Sequence, residues 1–373
     1  MIINDYKIDY PPYFFPNQEP LRILIDQSGE KIVSVDYIYG FTHKALQKHM
    51  EKSSYLANIF YFKSIDNNNE ISNTHAYLTL LEDALNIDVP YKTKFLRVII
   101  LELARIKNHL KSLNEIASLL DVKEIRNTSY LMINKINSLI DCNDEDTMSI
   151  AFIHRRFKDN FVPYLNSFLK DELNDAINHI LKIFNKNALF QKRLRGLGVI
   201  SKQDAIAFGI SGVNLRASGI SYDTRKNNPY EVYDKLNFEL KTLNDGDCFS
   251  RYKLRLQEIF QSVDIINDAL NKMPLGDYIY KDEKIVKIVD CEEKFTDEVI
   301  VKKGFYKKST ETPKGEFTIN LCANDTNKPC NIKITAPSSN ALFCFDKLCL
   351  NHFISDIPII LNSLDLSFGE IDK

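Results

Sequence analysis

Glycine is scarce in this chain, 12 in 373 residues, and five of them (Gly196, Gly198, Gly209, Gly212, Gly219) fall within 24 consecutive positions. Glycine is expected where backbone must take positive φ or approach another backbone closely, so its scarcity elsewhere turns attention to that one stretch. Cysteine pairs are missing as well: Cys142, Cys248, Cys291, Cys322, Cys330, Cys344 and Cys349 contain no CxxC. An odd, unpaired set fits a reducing compartment and mostly buried thiols. No apolar run reaches the roughly 18–20 residues that a membrane-spanning helix needs. The opening residues lack a basic segment followed by an apolar core, and they are too acidic and arginine-free for a mitochondrial presequence, so no leader is expected. Charge of one sign is lacking too. Lys and Arg number 48 against 50 Asp and Glu, a net −2 that gives no electrostatic case for nucleic acid or an anionic membrane surface.

Several chemistries are excluded on the same footing. There is no Walker loop and no GxGxxG after a strand, so the chain is not expected to bind a nucleotide. The seven histidines show no HExxH and no pair at metal spacing, so no metal site is expected. His75 and His109 sit in helical patterns and read as structural groups. Nothing makes a nucleophilic triad with any specificity.

What is present is the composition of a globular protein, 44% apolar and 26% charged, long enough for two or three domains. Leu21–Ile25 and Ile32–Val35 read as a β-hairpin across Gln27–Glu30. The prolines at 11, 12, 16 and 20 make the preceding segment extended and irregular. Apolar spacing predicts helices over about 42–61 and 73–85, and a strong one after Pro90. More helices are expected at about 124–140, 160–188 and 249–272, with a last one at about 347–361. Residues 278–301 suggest short strands or loops, and 317–322 with 331–335 a second hairpin-like pair. The sum is an α+β fold: a mainly helical core with small β layers near both termini. We divide it into an extended segment and hairpin (1–40), a helical core (41–275) and a C-terminal β/loop region with a final helix (276–373).

The core contains the Gly-rich stretch Leu194–Tyr233, which also carries Arg216, Asp223, Arg225 and Lys226. Such a polar loop on a helical scaffold reads as an interior connector or a docking surface. On the strong helix, Arg97, Glu102 and Arg105 read as a helix-surface network, in which Glu102 and Arg105 at i,i+3 would contribute only tenths of a kcal/mol. Arg216, Asp223 and Arg225 read as a loop salt-bridge set.

The stretch from Phe208, reading FGISGVNLRASGISYDTRKNNPYEVY, resembles FSGPxLRGSGIxWDLRKxxPYxxY of the quinone-site component of respiratory complex I (the D subunit in bacteria, subunit 7 in mitochondria). Gly246–Tyr252 is similar to that family's GDCYDRY, Pro313–Phe317 to its PKGEF, Phe368–Lys373 to its terminal FGEVDR, and Arg97–Leu110 to its RVxxxExxRIxNHL. The likeness runs from about Leu21 to Lys373 and is loosest between Ser112 and Arg195. It implies the fold of the large subunit of nickel–iron hydrogenases, while the missing CxxC pairs exclude a nickel site. It also implies a peripheral-arm component of an NADH:quinone oxidoreductase (a translocase) that binds no cofactor itself. Its place would be against the B and C subunits, with the H and I subunits as further partners, on the cytoplasmic face of a bacterial membrane or the matrix face of a mitochondrial one. By the same resemblance, quinone would be the substrate and the iron–sulphur cluster would lie in the neighbouring B subunit.

Carried over residue by residue, the family's quinone histidine falls on Gln18 and its quinone tyrosine on Asn67. A second histidine falls on Phe14, and an arginine near the cluster on Ser64. His43 is kept and followed by Lys44 in place of arginine, while the cluster-side histidine falls on Ser149. Lys111 and Glu115 put charge where the family lines its channel with small or apolar residues. Asp365 and Lys373 match tail positions that line the family's pocket. His43, Lys44, Gln18, Asn67, Asp365 and Lys373 are therefore the quinone-cavity candidates, and no catalytic residue is assigned. Arg97, Glu102, Arg105, Arg216, Asp223 and Arg225 are the structural and docking residues. His43 reads equally as a packed core histidine, and Asp365 equally as a turn residue. The stripped positions leave open a second reading, a non-catalytic scaffold or assembly subunit with a degenerate quinone site.

Overall fold

The computed structural model describes residues 6–13, 20–141, 161–275 and 299–373. Gln18, Phe14, Ser149, Cys142, Cys291 and nearly all of the segment 278–301 lie outside the described residues.

Three strands, β1 (Tyr6–Tyr10), β2 (Arg22–Ser28) and β3 (Lys31–Ile38), form an antiparallel sheet in the order β1-β2-β3. Alternation in β2 buries Ile23 and Ile25, and β3 contributes Ile32 and Val35 to the same apolar layer. β1 departs from the irregular segment expected there. It stops just before the Pro11–Pro12 pair, at the sheet edge, where missing N–H groups cost least. The helix expected over 42–61 is two helices, α1 (Leu46–Lys52) and α2 (Asn58–Ile65). Its break is tertiary in origin: Tyr55 N–H donates to the Asn327 carbonyl at 3.3 Å, and the Asn58 side chain donates to the Met50 carbonyl at 3.0 Å.

α3 (Glu70–Leu85) ends on Asn86 in the left-handed region at φ 53°. α4 (Tyr91–Leu119) begins after Pro90 and is the axis of the molecule. It packs against α3, α5 (Lys123–Asp141) and two later helices, Cys248–Lys272 and Ile357–Leu364. α6 starts as Phe161–Ser167, passes through a π turn at Phe168–Leu173 and continues as Asn174–Lys186. Short helices follow: α7 (Ala188–Leu194), α8 (Lys202–Ala207), α9 (Gly212–Ala217) and α10 (Thr224–Asn227).

The long helix α11 (Cys248–Lys272) is capped by Asp247, whose carboxylate accepts from Ser250 N–H at 2.8 Å and also holds Gly196 N–H at 2.8 Å. Gly246, just before that cap, has φ 64°, and a Cβ there would collide with the Ile200 carbonyl. The GDC sequence is thus a helix start pressed against the connector.

The C-terminal sheet has three strands, β4 (Gly304–Thr312), β5 (Gly315–Ala323) and β6 (Asn331–Thr335). The expected pairing of 317–322 with 331–335 is present as β5 with β6. β4 goes beyond that expectation, and it pairs with β5 across the two-residue turn Pro313–Lys314. α12 (Pro337–Leu342), α13 (Phe345–Cys349), α14 (Ile357–Leu364) and α15 (Phe368–Ile371) complete the chain. The last helix expected over 347–361 is therefore broken. Ile32 of β3 exchanges backbone hydrogen bonds with Asn351 and His352, each at 3.0 Å, and these outcompete helical continuation. One apolar core joins the N-terminal sheet to α4, α5, α6 and α11; a second joins α1–α3 to the C-terminal sheet.

Candidate functional site

The connector is exposed at Lys202, Ile206 and residues 226–229, but three of its charged residues do not face water. Arg216, Asp223 and Arg225 are all 1% exposed or less, and they lie between α4, α11 and the C-terminal sheet. Arg225 donates to both Asp223 oxygens (3.0 and 2.7 Å) and to Glu102 at 3.0 and 3.2 Å. Arg216 donates to Glu258 at 2.8 Å, to Glu311 at 2.8 Å and to the Tyr222 carbonyl at 3.0 Å. Glu102 also accepts from Tyr233 and Ser262, each at 2.6 Å. Arg105 donates to the backbone carbonyls of Glu311 and Thr312 at 2.6 and 3.1 Å, tying α4 to the end of β4.

The surface reading of Arg97, Glu102 and Arg105 is corrected by this burial, and so is any direct docking role. Arg97 is 2% exposed and pairs bidentately with Glu82 at 2.8 and 2.5 Å and with Glu231 at 3.1 Å. His75 and His109 sit in the same interior, on Glu231 (2.7 Å) and Glu258 (3.1 Å). Burial alone would push Glu102 and Asp223 up, but Arg225, with Arg105 beside Glu102 and Arg216 beside Asp223, holds both carboxyls below their ordinary values. A buried charge missing its partner is costly, so this network specifies how the connector must lie.

A second polar cluster gathers where the C-terminal tail crosses α2. Gly369 lies so close to the Ile65 carbonyl that a Cβ would overlap it. Asp372, 5% exposed, accepts from Gly40 N–H at 2.9 Å, Thr42 N–H at 3.0 Å and the Thr42 hydroxyl at 2.6 Å. Its backbone carbonyl lies 2.5 Å from His43 Nδ1. One short tail therefore clasps the 40–43 loop at one end and the exit of α2 at the other.

Just past that exit, Asn67 is exposed while its neighbour Asp66 is buried. Lys314, from the turn before β5, lies 3.6 Å from Asp66 and 3.2 Å from Asp365. Asp365 accepts from Asn108 at 2.9 Å. Asn68 accepts a hydrogen bond from Lys111, which lies 3.9 Å from Glu115, and Glu115 accepts from Asn362 at 3.2 Å.

Ionisation here is uneven. Burial and then Asp365 raise Glu115 to about 6. Burial and then Asp66 raise Glu370 to about 7, although Ser338 donates to it at 2.5 Å. Asp365, against burial, is drawn down to about 2 by Lys314 and Arg255. Burial lowers Lys373, whose ammonium donates to the Glu370 carbonyl at 2.5 Å. The cluster therefore holds two carboxyl groups that can exchange protons near neutral pH, beside an aspartate that stays ionised.

Of the sequence-derived candidates, His43, Asn67, Asp365 and Lys373 belong to segments that this tail joins. Lys44 is exposed next to His43. Gln18 is outside the described residues. His43 is an exposed ring and not a packed core histidine. Asp365 both ends α14, in the left-handed region at φ 56°, and takes part in the cluster. Sequence reasoning missed Asp66, Lys314, Glu370 and Asp372, although the PKGEF and FGEID stretches contain three of them. Clefts of about 490 and 500 Å³ open elsewhere, around Lys226, Phe238 and Asp264 and around Asp121, Leu189 and Arg193, away from these residues. Among the described residues no group of three His, Cys, Asp or Glu side chains could hold a metal ion, and no helix is long and apolar enough to cross a membrane.

Comparison with known proteins bears on what this arrangement serves. Residues 145–373 match the family described as "Respiratory-chain NADH dehydrogenase, 49 Kd subunit". The NADH-quinone oxidoreductase D subunit of Rickettsia prowazekii (strain Madrid E) is 32% identical over 372 residues, covering 95% of each chain. Its counterpart in Anaplasma phagocytophilum (strain HZ) is 33% identical over 376 residues, 95% of this chain and 93% of the relative. The NADH-ubiquinone oxidoreductase 49 kDa subunit of Acanthamoeba castellanii is 30% identical across all of this chain and 96% of its own. With more than half of its length in the family match and full-length relatives above 30% identity, the chain belongs to the 49 kDa (D-type) subunit family of complex I, the NADH–quinone oxidoreductase of respiratory electron transport.

Proposed function

We propose that this chain forms one wall of a quinone cavity in a complex I-type enzyme. The facing wall is the cluster-bearing B subunit, and the C, H and I subunits complete its surroundings on the cytoplasmic or matrix face of the membrane. The hydrogenase-like scaffold of the resemblance is part of this reading. Electrons arrive from the neighbour's iron–sulphur cluster; this chain supplies hydrogen bonds, shape and protons.

The observation that carries the reading is the exposed Asn67 set between buried Asp66 and the Asn68–Lys111–Glu115 series, with the tail holding the His43 loop to the same region. An amide can donate to a quinone carbonyl but cannot release a proton near neutral pH. Glu115, raised to about 6 and still partly open, is suited to that second task. Asp365, locked as an anion by Lys314, keeps the lysine charge in place beside it. Open chain surface at Asn67 and His43 fits a cavity that a second subunit closes.

The test uses membranes carrying the assembled enzyme and compares NADH oxidation with quinone and with a soluble artificial acceptor. Glu115→Gln is expected to slow quinone reduction by about 100-fold, the scale of general acid catalysis, with the artificial acceptor unaffected. Equal rates with both acceptors in variant and wild type would overturn the assignment.

A further inference from the structure

Two of the described cysteines differ from the rest. Cys248, Cys344 and Cys349 are buried, and burial pushes all three thiols up. Cys322, near the end of β5, is only partly covered, and Cys330, just before β6, is exposed. They are neighbours across the hairpin. The regular register pairs Cys322 with Asn331, yet the Cys322 carbonyl also accepts from Cys330 N–H at 2.9 Å. That bond holds Cys330, one residue before β6, against the end of β5. The Cys330 thiol donates to the Cys322 carbonyl at 3.1 Å, and the two side chains lie close enough for Cys330 to perturb the Cys322 thiol.

From this juxtaposition we infer that Cys322 and Cys330 are a reversible dithiol–disulfide pair, a redox modification site on the C-terminal hairpin. The oxidant is a low-molecular-weight disulfide such as glutathione disulfide. Cys330, the exposed thiol, attacks as its thiolate and displaces one glutathione thiol, leaving a mixed disulfide on Cys330. Cys322 then gives up its proton, attacks the Cys330 sulphur and releases the second glutathione thiol. Two S–H bonds and one S–S bond are lost, and one S–S bond and two glutathione S–H bonds are made. The order of attack follows from access. The contact with Cys330 and then partial burial raise the Cys322 thiol, which suits it to the resolving step.

The position gives the pair a structural consequence. The loop between the two cysteines holds Tyr55 N–H through the Asn327 carbonyl at 3.3 Å. Asn331, next to Cys330, donates to Glu51 at 3.1 Å, and Ile334 N–H donates to the Gln47 side chain at 3.2 Å. The hairpin end therefore anchors α1 and the entry to α2, the elements between His43 and Asn67. Closing the disulfide fixes that anchor.

The experiment is thiol mapping of the enzyme in membranes across a series of glutathione ratios, with alkylation after denaturation and peptide analysis. The expected result is a linked Cys322–Cys330 peptide lacking two hydrogens, reversed by dithiothreitol, at ratios that leave Cys248, Cys344 and Cys349 alkylatable. Cys322→Ser is expected to trap glutathione on Cys330 in a stable adduct, and Cys330→Ser to leave Cys322 unmodified. Wild-type protein that accumulates the Cys330–glutathione adduct, or keeps both thiols free in large glutathione disulfide excess, overturns the inference. The wild-type map decides this even where a variant folds poorly.

Discussion

Replacing Arg225 by methionine removes the main cationic partner of two fully buried carboxylates, leaving Arg105 3.4 Å from Glu102 and Arg216 3.3 Å from Asp223. Arg225 reaches both oxygens of Asp223 and both oxygens of Glu102, at 2.7–3.2 Å, with all three residues 0% exposed. Breaking a buried pair by removing one partner costs about 3–5 kcal/mol, because the surviving charge is left under-compensated away from water. That is a large share of the roughly 5–15 kcal/mol by which folded domains exceed their unfolded state. With a urea dependence of about 3 kcal/mol per molar for a chain of this size, the unfolding midpoint should fall by about 1–2 M.

The sign with pH is also fixed. Glu102 and Asp223 are held below their ordinary values, so their pairing contributes above the unfolded carboxylate range and fades in acid. The Arg225→Met deficit should therefore shrink as pH falls, once the stranded carboxyls take up protons. A triple variant that also carries Glu102→Gln and Asp223→Asn removes the stranded charge and should recover most of the midpoint. The measurement is urea unfolding of the full chain followed by far-UV circular dichroism at several pH values. A single variant within about 1 kcal/mol of wild type, or a triple no better than the single, would refute the reasoning.

Glu370 titrates in the opposite sense. Its folded value of about 7 lies above the ordinary 4.5, so its contribution is complete below about pH 4.5 and is lost as pH rises through 7. Glu370→Gln should flatten the fall in stability between pH 5 and 8, worth about 3 kcal/mol, in denaturant titrations; an unchanged slope would show that another group titrates there. Gly369→Ala places a methyl group on the Ile65 carbonyl, so the tail must lift from α2. An overpacking cost of about 1–3 kcal/mol and faster proteolytic trimming of the C-terminus are expected, and a trimming rate equal to wild type would remove the clasp from the account.

Helix α4 was legible because its apolar residues recur at helical spacing over many turns, and that pattern survives any neighbour. The β5–β6 pair was legible from its alternation. The breaks at 53–57 and 350–356 were not, because backbone donors and acceptors from segments hundreds of positions away, Asn327 and Ile32, decide them. β4 was hidden by reading Pro313–Phe317 only as a motif, when its first two residues are a hairpin turn. The candidate site was half legible. His43, Asn67, Asp365 and Lys373 came from resemblance, whereas Asp66, Lys314, Glu370 and Asp372 emerged only when the tail was seen lying on α2.

The sequence by itself determined the family, the run of helices and the crowding of glycine and charge into residues 194–233, since motif order and local periodicity are written along the chain. Whether those charges meet water or one another was decided by tertiary structure alone. An arginine on a helix reads the same in one dimension at the surface or at the centre. Only the placement of Glu102, Glu258 and Glu311 around the connector, brought from three distant elements, makes the interior position tolerable.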